Sequence, residues 1–167
     1  MVENLRLRQY ERRDSDAVAA LDAWALGETQ TDPEDIPGRE DIHDIEAAYL
    51  DSGGDFVVGV LKRDSECGRR LGDRAVETGD GATTVETGNG ATVETGDGCM
   101  VAMGGFLPSA AGHDDERTVA GAAELHRMRV APPCQRRGYG AALLAELEAR
   151  AAAAGFERAL ATTAARQ

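Results

Sequence analysis

The sequence predicts an α/β (α+β) domain in which β-strands and amphipathic helices share one chain. Three observations predict it. Within residues 122–155 a short alternating run is followed by a basic glycine loop and then by apolar residues at helical spacing. Two apolar runs, 56–61 and 99–107, have the length and content of buried strands. Ahead of them, apolar residues over 17–25 recur with a helical rather than an alternating period. At 167 residues the chain is expected to form one domain with one core.

Leu5 and Leu7 alternate with Arg6 and Arg8, as in a first strand. Asp14 or Ser15 then serves as a helix N-cap. Ala17, Val18, Ala20, Leu21, Trp24 and Ala25 make the apolar stripe of the helix that follows, with Gly27 as its stop. Residues 28–41 are rich in Asp, Glu, Pro and Gly and read as a loop. Ile42, Ile45, Ala48 and Tyr49 mark a second short helix ending near Gly53 and Gly54. The run 56–61 is a central, buried strand.

Three similar units follow, V-E-T-G-D-G-A-T-T, V-E-T-G-N-G-A-T and V-E-T-G-D-G-C, starting at Val76, Val85 and Val93. Asp80-Gly81, Asn89-Gly90 and Asp97-Gly98 are turn dipeptides, and the Thr and Val residues favour strand. The expectation is a low-complexity insertion at about 64–98 in a strand–strand connection, either disordered or a loosely ordered hairpin extension. Carboxylates are sparse within each unit and the calcium-loop pattern is absent, so no metal is expected. In the strand at 99–107, Gly104 and Gly105 signal a bulge or a close backbone approach. Residues 109–119 form a polar turn.

The stretch from Glu124 to Leu147, E-L-H-R-M-R-V-A-P-P-C-Q-R-R-G-Y-G-A-A-L-L-A-E-L, carries the chemistry. Leu125, Arg127 and Arg129 alternate with His126, Met128 and Val130, and Pro132 and Pro133 end the strand. If that alternation holds, His126 shares a face with Glu124 and Met128. Gln135-Arg136-Arg137-Gly138-Tyr139-Gly140 then runs straight into a helix whose apolar positions are Leu143, Leu144, Leu147 and Ala151. The first amides of a helix lack intrahelical acceptors and sit at the positive end of its dipole. Glycines at 138 and 140 allow close approach of an anion, and two arginines add charge and forked donors. A pyrophosphate is the natural guest. No Walker pattern exists, and a dinucleotide fingerprint would need glycine where Leu143 stands.

Composition narrows the partners. Acidic residues number 30 against 18 basic ones, a net charge of -12, and Lys62 is the only lysine. This balance fits a protein of a high-salt cytoplasm. It argues against general nucleic-acid binding, and no apolar run approaches membrane-spanning length. Cys67, Cys99 and Cys134 lack metal spacing and fit reduced thiols in a cytoplasmic location.

Q-R-R-G-Y-G, with R-M-R-V-A-P before it and A-L-L-A-E-L-E-A-R-A-A-A-A-G-F after it, resembles the Gln/Arg-x-x-Gly-x-Gly/Ala signature region of the GCN5-related N-acetyltransferases. The resemblance is most specific over about 122–163. It implies a mixed, mostly antiparallel central sheet flanked by helices. It also implies acetyl transfer from acetyl-coenzyme A to a small-molecule or peptide amine by direct attack. In such a domain Met128, Arg129 and Val130 line the coenzyme. The backbone of Met128 and Val130 pairs with its pantetheine arm, and the Val130 N–H faces the acetyl oxygen. Gln135, Arg136, Arg137, Gly138, Tyr139, Gly140 and Ala141 hold the pyrophosphate. Glu124 is the expected catalytic base, with His126 the second candidate. The acidic loop with Glu28, Asp32, Glu34 and Asp35 borders the acceptor. Residues 156–163 resemble the family's fifth strand; the usual final helix, strand pair and catalytic tyrosine are not in the sequence. That implies an exposed edge near 157–163 and a possible homodimer through it. It also keeps open a coenzyme A-binding module without catalysis, or an incomplete domain that needs a partner.

Overall fold

The computed structural model describes residues 4–27, 40–62, 75–77, 83–87, 90–92, 94–111 and 118–161. The loop carrying Glu28, Asp32, Glu34 and Asp35 lies outside these residues, as does Cys67. The main sheet is built from β1 (Leu5–Gln9), β2 (Asp55–Leu61), β6 (Glu94–Thr95), β7 (Gly98–Pro108), β8 (Ala122–Val130) and β9 (Arg158–Ala161). Its order is β1-β2-β7-β8-β9, with β6 hairpinned onto the start of β7. All these pairings are antiparallel except β8–β9, which is parallel. This is the mixed, mostly antiparallel sheet expected from the sequence.

Helices cover both faces, which is why β2 reads as a continuous apolar run rather than an alternating one. Phe56, Val58 and Val60 pack on one side with Val18, Leu21 and Trp24 of α1 (Ser15–Gly27) and with Ile42, Ile45 and Tyr49. Val57 faces the other side, toward Leu143, Leu147 and Ala151 of the helix Tyr139–Ala153, here α3. Arg150 of α3 reaches the start of β2, with Nη1 2.9 Å from Asp55 Oδ2.

Two local expectations are corrected. Neither Asp14 nor Ser15 caps α1 in the usual sense, because a 3-10 turn at Arg12–Asp14 precedes the helix. Asp14 instead turns back to accept the Glu11 N–H at 2.9 Å and two Arg8 donors at 2.7 and 2.8 Å. The second helix is divided into α2 (Glu40–His43) and a π-helical turn at Glu46–Leu50. Asp44 makes the division: its carboxylate accepts the Ala47 N–H at 3.1 Å, starting a new segment.

The described parts of the repeat include four short strands. β3 (Ala75–Glu77), β4 (Thr83–Thr87) and β5 (Gly90–Thr92) form a small three-stranded antiparallel sheet. The third unit belongs to the main sheet through β6. Thr95 Oγ1 donates to Asp97 Oδ1 at 2.7 Å, and Asp97 is paired with Arg8 at 3.1 Å and with Arg6. Among the described residues no helix is long and apolar enough to cross a membrane.

The glycine pair in β7 serves close packing on both faces. A Cβ at Gly105 would stand 2.6 Å from the Phe56 ring and 2.9 Å from that of Tyr49. At Gly104 it would stand 3.1 Å from Met128 Cγ and 3.2 Å from Leu147 Cδ1. The bulge itself lies across the ladder. Met103 pairs with Arg129 and Gly105 with His126, so Gly104 faces two residues, Arg127 and Met128.

Candidate active site

β8 positions the site, and its bulge decides which side chain points where. Arg127 has φ 54°, the left-handed conformation that non-glycine residues adopt rarely and at a cost. Upstream of it the strand alternates: Ala123 and Leu125 face α3, while Glu124 and His126 share the opposite face, where the His126 ring meets Tyr49 of the π-helical turn. The extra residue then shifts the phase. Met128 and Val130 pack on the α3 side, and Arg127 and Arg129 extend toward α2 and α1. Unbroken alternation would have put Met128 with Glu124 and His126. The bulge places it on the opposite face.

Two arginine–aspartate pairs close the α1/α2 face. Arg127 grips Asp41 through Nε at 3.0 Å and Nη2 at 2.8 Å, and Tyr49 donates its hydroxyl to the same carboxylate at 2.6 Å. Burial, reinforced by the charge of Asp41, pushes the Tyr49 hydroxyl pKa well above its ordinary value. Arg129 Nε donates to Asp22 Oδ1 at 3.2 Å, and that aspartate is fully buried. Glu124 is buried between Leu107 of β7 and Leu160 of β9 in the ladder. Its Oε2 lies 4.0 Å from His126 Nε2, ion-pair range when the imidazole is protonated.

Among the described residues, no strand pairs with the other edge of β8 beyond Leu125. β9 pairs with residues Ala122 to Leu125, whereas β7 stays paired as far as Val130. The Ala131 N–H donates to Val101 O at 2.8 Å, so the backbone of Val130 points the other way, toward the open edge. Side chains meet the carbonyls there: Gln135 Nε2 is 3.3 Å from Val130 O and Arg129 Nη1 is 3.2 Å from Met128 O. Met128 and Val130 are thus the residues whose backbone is available at this edge. The backbone of Arg129 is held in the β7 ladder opposite Met103.

The open edge leads to the basic loop. A 3-10 turn at Pro132–Cys134 ends the strand; Gln135, Arg136, Arg137 and Gly138 follow, all exposed. Arg136 (φ 61°) and Gly138 (φ 87°) are left-handed, the kind of turning backbone that gathers amides into an anion-binding concavity. Gly138 is the N-cap of α3 and offers no side chain to it. The first helical bond is Ala142 N–H to Gly138 O at 3.0 Å, so the amides of Tyr139, Gly140 and Ala141 have no acceptor within the helix. The Tyr139 side chain is buried and anchors this end, leaving only its amide for a ligand. A Cβ on Gly140 would meet nothing nearer than Val130 Cγ2 at 3.7 Å. Protein packing therefore does not require glycine there; the space above it is open.

Most of the residues expected to form a site are brought together. The edge residues Met128 and Val130 and the loop from Gln135 to Ala141 make one continuous surface, and Glu124 with His126 stands on the adjoining face. Arg127, Asp41 and Tyr49 were not anticipated, because a pair 86 residues apart leaves no local signal. One expectation is reversed: Cys134, read as a reduced thiol, is disulfide-bonded, while Cys99 is a buried thiol. Spacing alone could not foresee this, since disulfide geometry depends on chain approach in space.

A domain with this sheet, a parallel strand pair at its edge and a helix beside it without a side-chain cap has the architecture of a recognisable class of transferases. Residues 68–167 match the acetyltransferase (GNAT) family, and the chain belongs to that family. Solved structures agree in fold. A GNAT-family acetyltransferase from Staphylococcus aureus has a TM-score of 0.58 at 15% identity, covering 95% of this chain and 73% of its own. An acetyltransferase from Streptococcus agalactiae gives 0.59 at 14% identity, covering 96% and 74%. A GNAT-family acetyltransferase from Brucella melitensis, solved in complex with acetyl-CoA, gives 0.59 at 14% identity, covering 96% and 77%. No curated protein sequence matches significantly.

Proposed function

We propose that this protein is an N-acetyltransferase that takes its acetyl group from acetyl-coenzyme A and passes it directly to an amine. The observation that carries the reading is the continuity of two features. The backbone edge at Met128 and Val130, paired with no strand among the described residues, runs into the uncapped, exposed start of α3 behind Arg136 and Arg137. The first suits an amide-bearing arm added as a strand, and the second suits a diphosphate. In this reading Gln135, which bonds Val130 O in the free protein, yields that carbonyl to the arm.

The amine attacks the thioester carbonyl carbon. A C–N bond forms, the C–S bond breaks, and the coenzyme leaves as its thiolate. The Val130 N–H polarises the carbonyl oxygen as charge develops on it. An amine with a pKa near ~10 must shed a proton near neutrality. Glu124 accepts it, through water or through His126 on the same face.

Gly140→Glu is the discriminating experiment. A Cβ there meets nothing nearer than 3.7 Å in the protein, and a carboxylate in the first turn suits both the helix and its dipole. The variant should melt close to wild type yet bind acetyl-coenzyme A at least ~10-fold more weakly by calorimetry, because the added charge faces the diphosphate. Unchanged affinity rejects the cradle. Arg136→Ala or Arg137→Ala should weaken binding several-fold, more steeply at low salt. Coenzyme binding without thiol release on any amine would favour a non-catalytic binding module.

Two broader readings accompany this one. The acidic, lysine-poor composition supports adaptation to high salt. The exposed residues of β9 support edge-to-edge pairing with a second copy, which size-exclusion chromatography at two concentrations tests.

A further inference from the structure

Arg127 and Arg129 leave β8 toward the same side of the sheet, but their guanidinium groups are in different states. Arg127 spends its fork on Asp41, with Nε and Nη2 both engaged and Tyr49 closing the same carboxylate. Arg129 is anchored without being consumed. Nε is on the buried Asp22 and Nη1 is on the carbonyl of Met128. Nη2, with both its N–H groups, has no hydrogen-bond partner among the described residues, and the side chain is 26% exposed against 12% for Arg127. Its two anchors fix the guanidinium in orientation, and its contact with Met128 O sets it at the rim between the α1/α2 face and the open edge. Val130, next in the chain, is the residue whose N–H would meet the acetyl oxygen. A fixed, partly exposed fork beside the reacting carbonyl suits a planar anionic group on the incoming amine.

Resting on the acetyltransferase reading, we infer that Arg129 is a specificity-determining residue and that the acceptor is an amine that also bears a carboxylate, such as a free amino acid. The Nη2 edge receives the carboxylate and thereby holds the amine against the acetyl carbon. Polyamines and amino sugars, which bring only positive charge, gain nothing from this group and are repelled by it.

The test compares free amino acids with their carboxamides and with the corresponding decarboxylated amines, in a thiol-release assay on the full chain. For the preferred amino acid, kcat/KM should exceed that of its carboxamide by ~10-fold or more, the factor a charge-assisted hydrogen bond corresponds to. Arg129→Gln should bring the two acceptors to within about threefold, and Arg129→Lys should restore part of the preference. Because Arg129→Gln leaves Asp22 buried beside a neutral group, the Asp22→Asn/Arg129→Gln double variant is measured as well. The same collapse of the ratio there supports the assignment. Equal or better turnover of the carboxamide or decarboxylated amine by wild type overturns it, as does a ratio unmoved in both variants. Acetyl-coenzyme A binding with no turnover of any amino acid overturns this inference alone. Absence of coenzyme binding overturns the parent reading and this one with it.

Discussion

Tyr49 shows how one buried group ties stability to pH. Its ring lies edge-on to Phe56, 5.0 Å between centroids, and its hydroxyl is held by Asp41. Burial disfavours the phenolate and Asp41 adds repulsion, so the folded-state pKa lies above the unfolded value of about 10. Below pH ~10 both states keep the proton and the contribution is complete. Above it the unfolded chain ionises first, and stability falls as pH rises toward the folded value. Tyr49→Phe should flatten that alkaline fall between about pH 10 and 12, while costing about 1 kcal/mol at neutrality for the lost hydrogen bond. Urea unfolding across the pH range reads both effects. At this scale the sequence was informative where chemistry is local. Gln135 to Ala141 announces itself by residue type and spacing. The Arg127–Asp41–Tyr49 cluster does not, because each member alone reads as an ordinary surface arginine, loop acid or core aromatic.

At the scale of elements, β7 and β8 are read together or not at all. Gly104 and Gly105 foretold an irregularity, but nothing local said that the extra residue would sit in the neighbouring strand. A bulge is a property of a pair of strands, and one strand's sequence cannot assign it. Gly105 itself is a packing glycine. Gly105→Ala would drive a methyl into Phe56 and Tyr49 and should destabilise by roughly 1–3 kcal/mol, read by chemical denaturation. The contrast with Gly140→Glu is diagnostic, since one position answers to the core and the other faces open space beside the basic loop. For α3, the helical stripe named Leu143, Leu144, Leu147 and Ala151 from spacing alone, and all but the half-buried Leu144 are buried. Leu147→Ala should cost about 2–5 kcal/mol, because the side chain is fully buried.

For the whole molecule, the net charge of -12 sets the solvent dependence. At low ionic strength like charges repel across the surface; salt with a Debye length of only ~3 Å at 1 M removes that repulsion. The melting temperature should therefore rise between about 0.1 and 2 M potassium chloride, and a flat response would remove the case for salt adaptation. Strand order belongs to this scale too. Family resemblance implied a mixed, mostly antiparallel sheet, but the order β1-β2-β7-β8-β9 was not legible, because strand neighbours are set by contacts distant in sequence. The docking of the last repeat unit through Asp97 was not legible, since three near-identical units give no sign of which will meet Arg6 and Arg8.

The supernumerary residue in β8 has one more implication. Removing Arg127 would let the ribbon zip evenly against β7 and relieve its left-handed kink, while His126 kept Gly105, Met128 took Gly104 alone and Arg129 kept Met103. The surface offered to the acyl donor would survive the excision. What would go is the clasp on Asp41, and with it the partner of the Tyr49 hydroxyl's own acceptor. The spare link is therefore a mooring line: the strand tolerates an uneven stitch in order to tie a distant segment to the sheet.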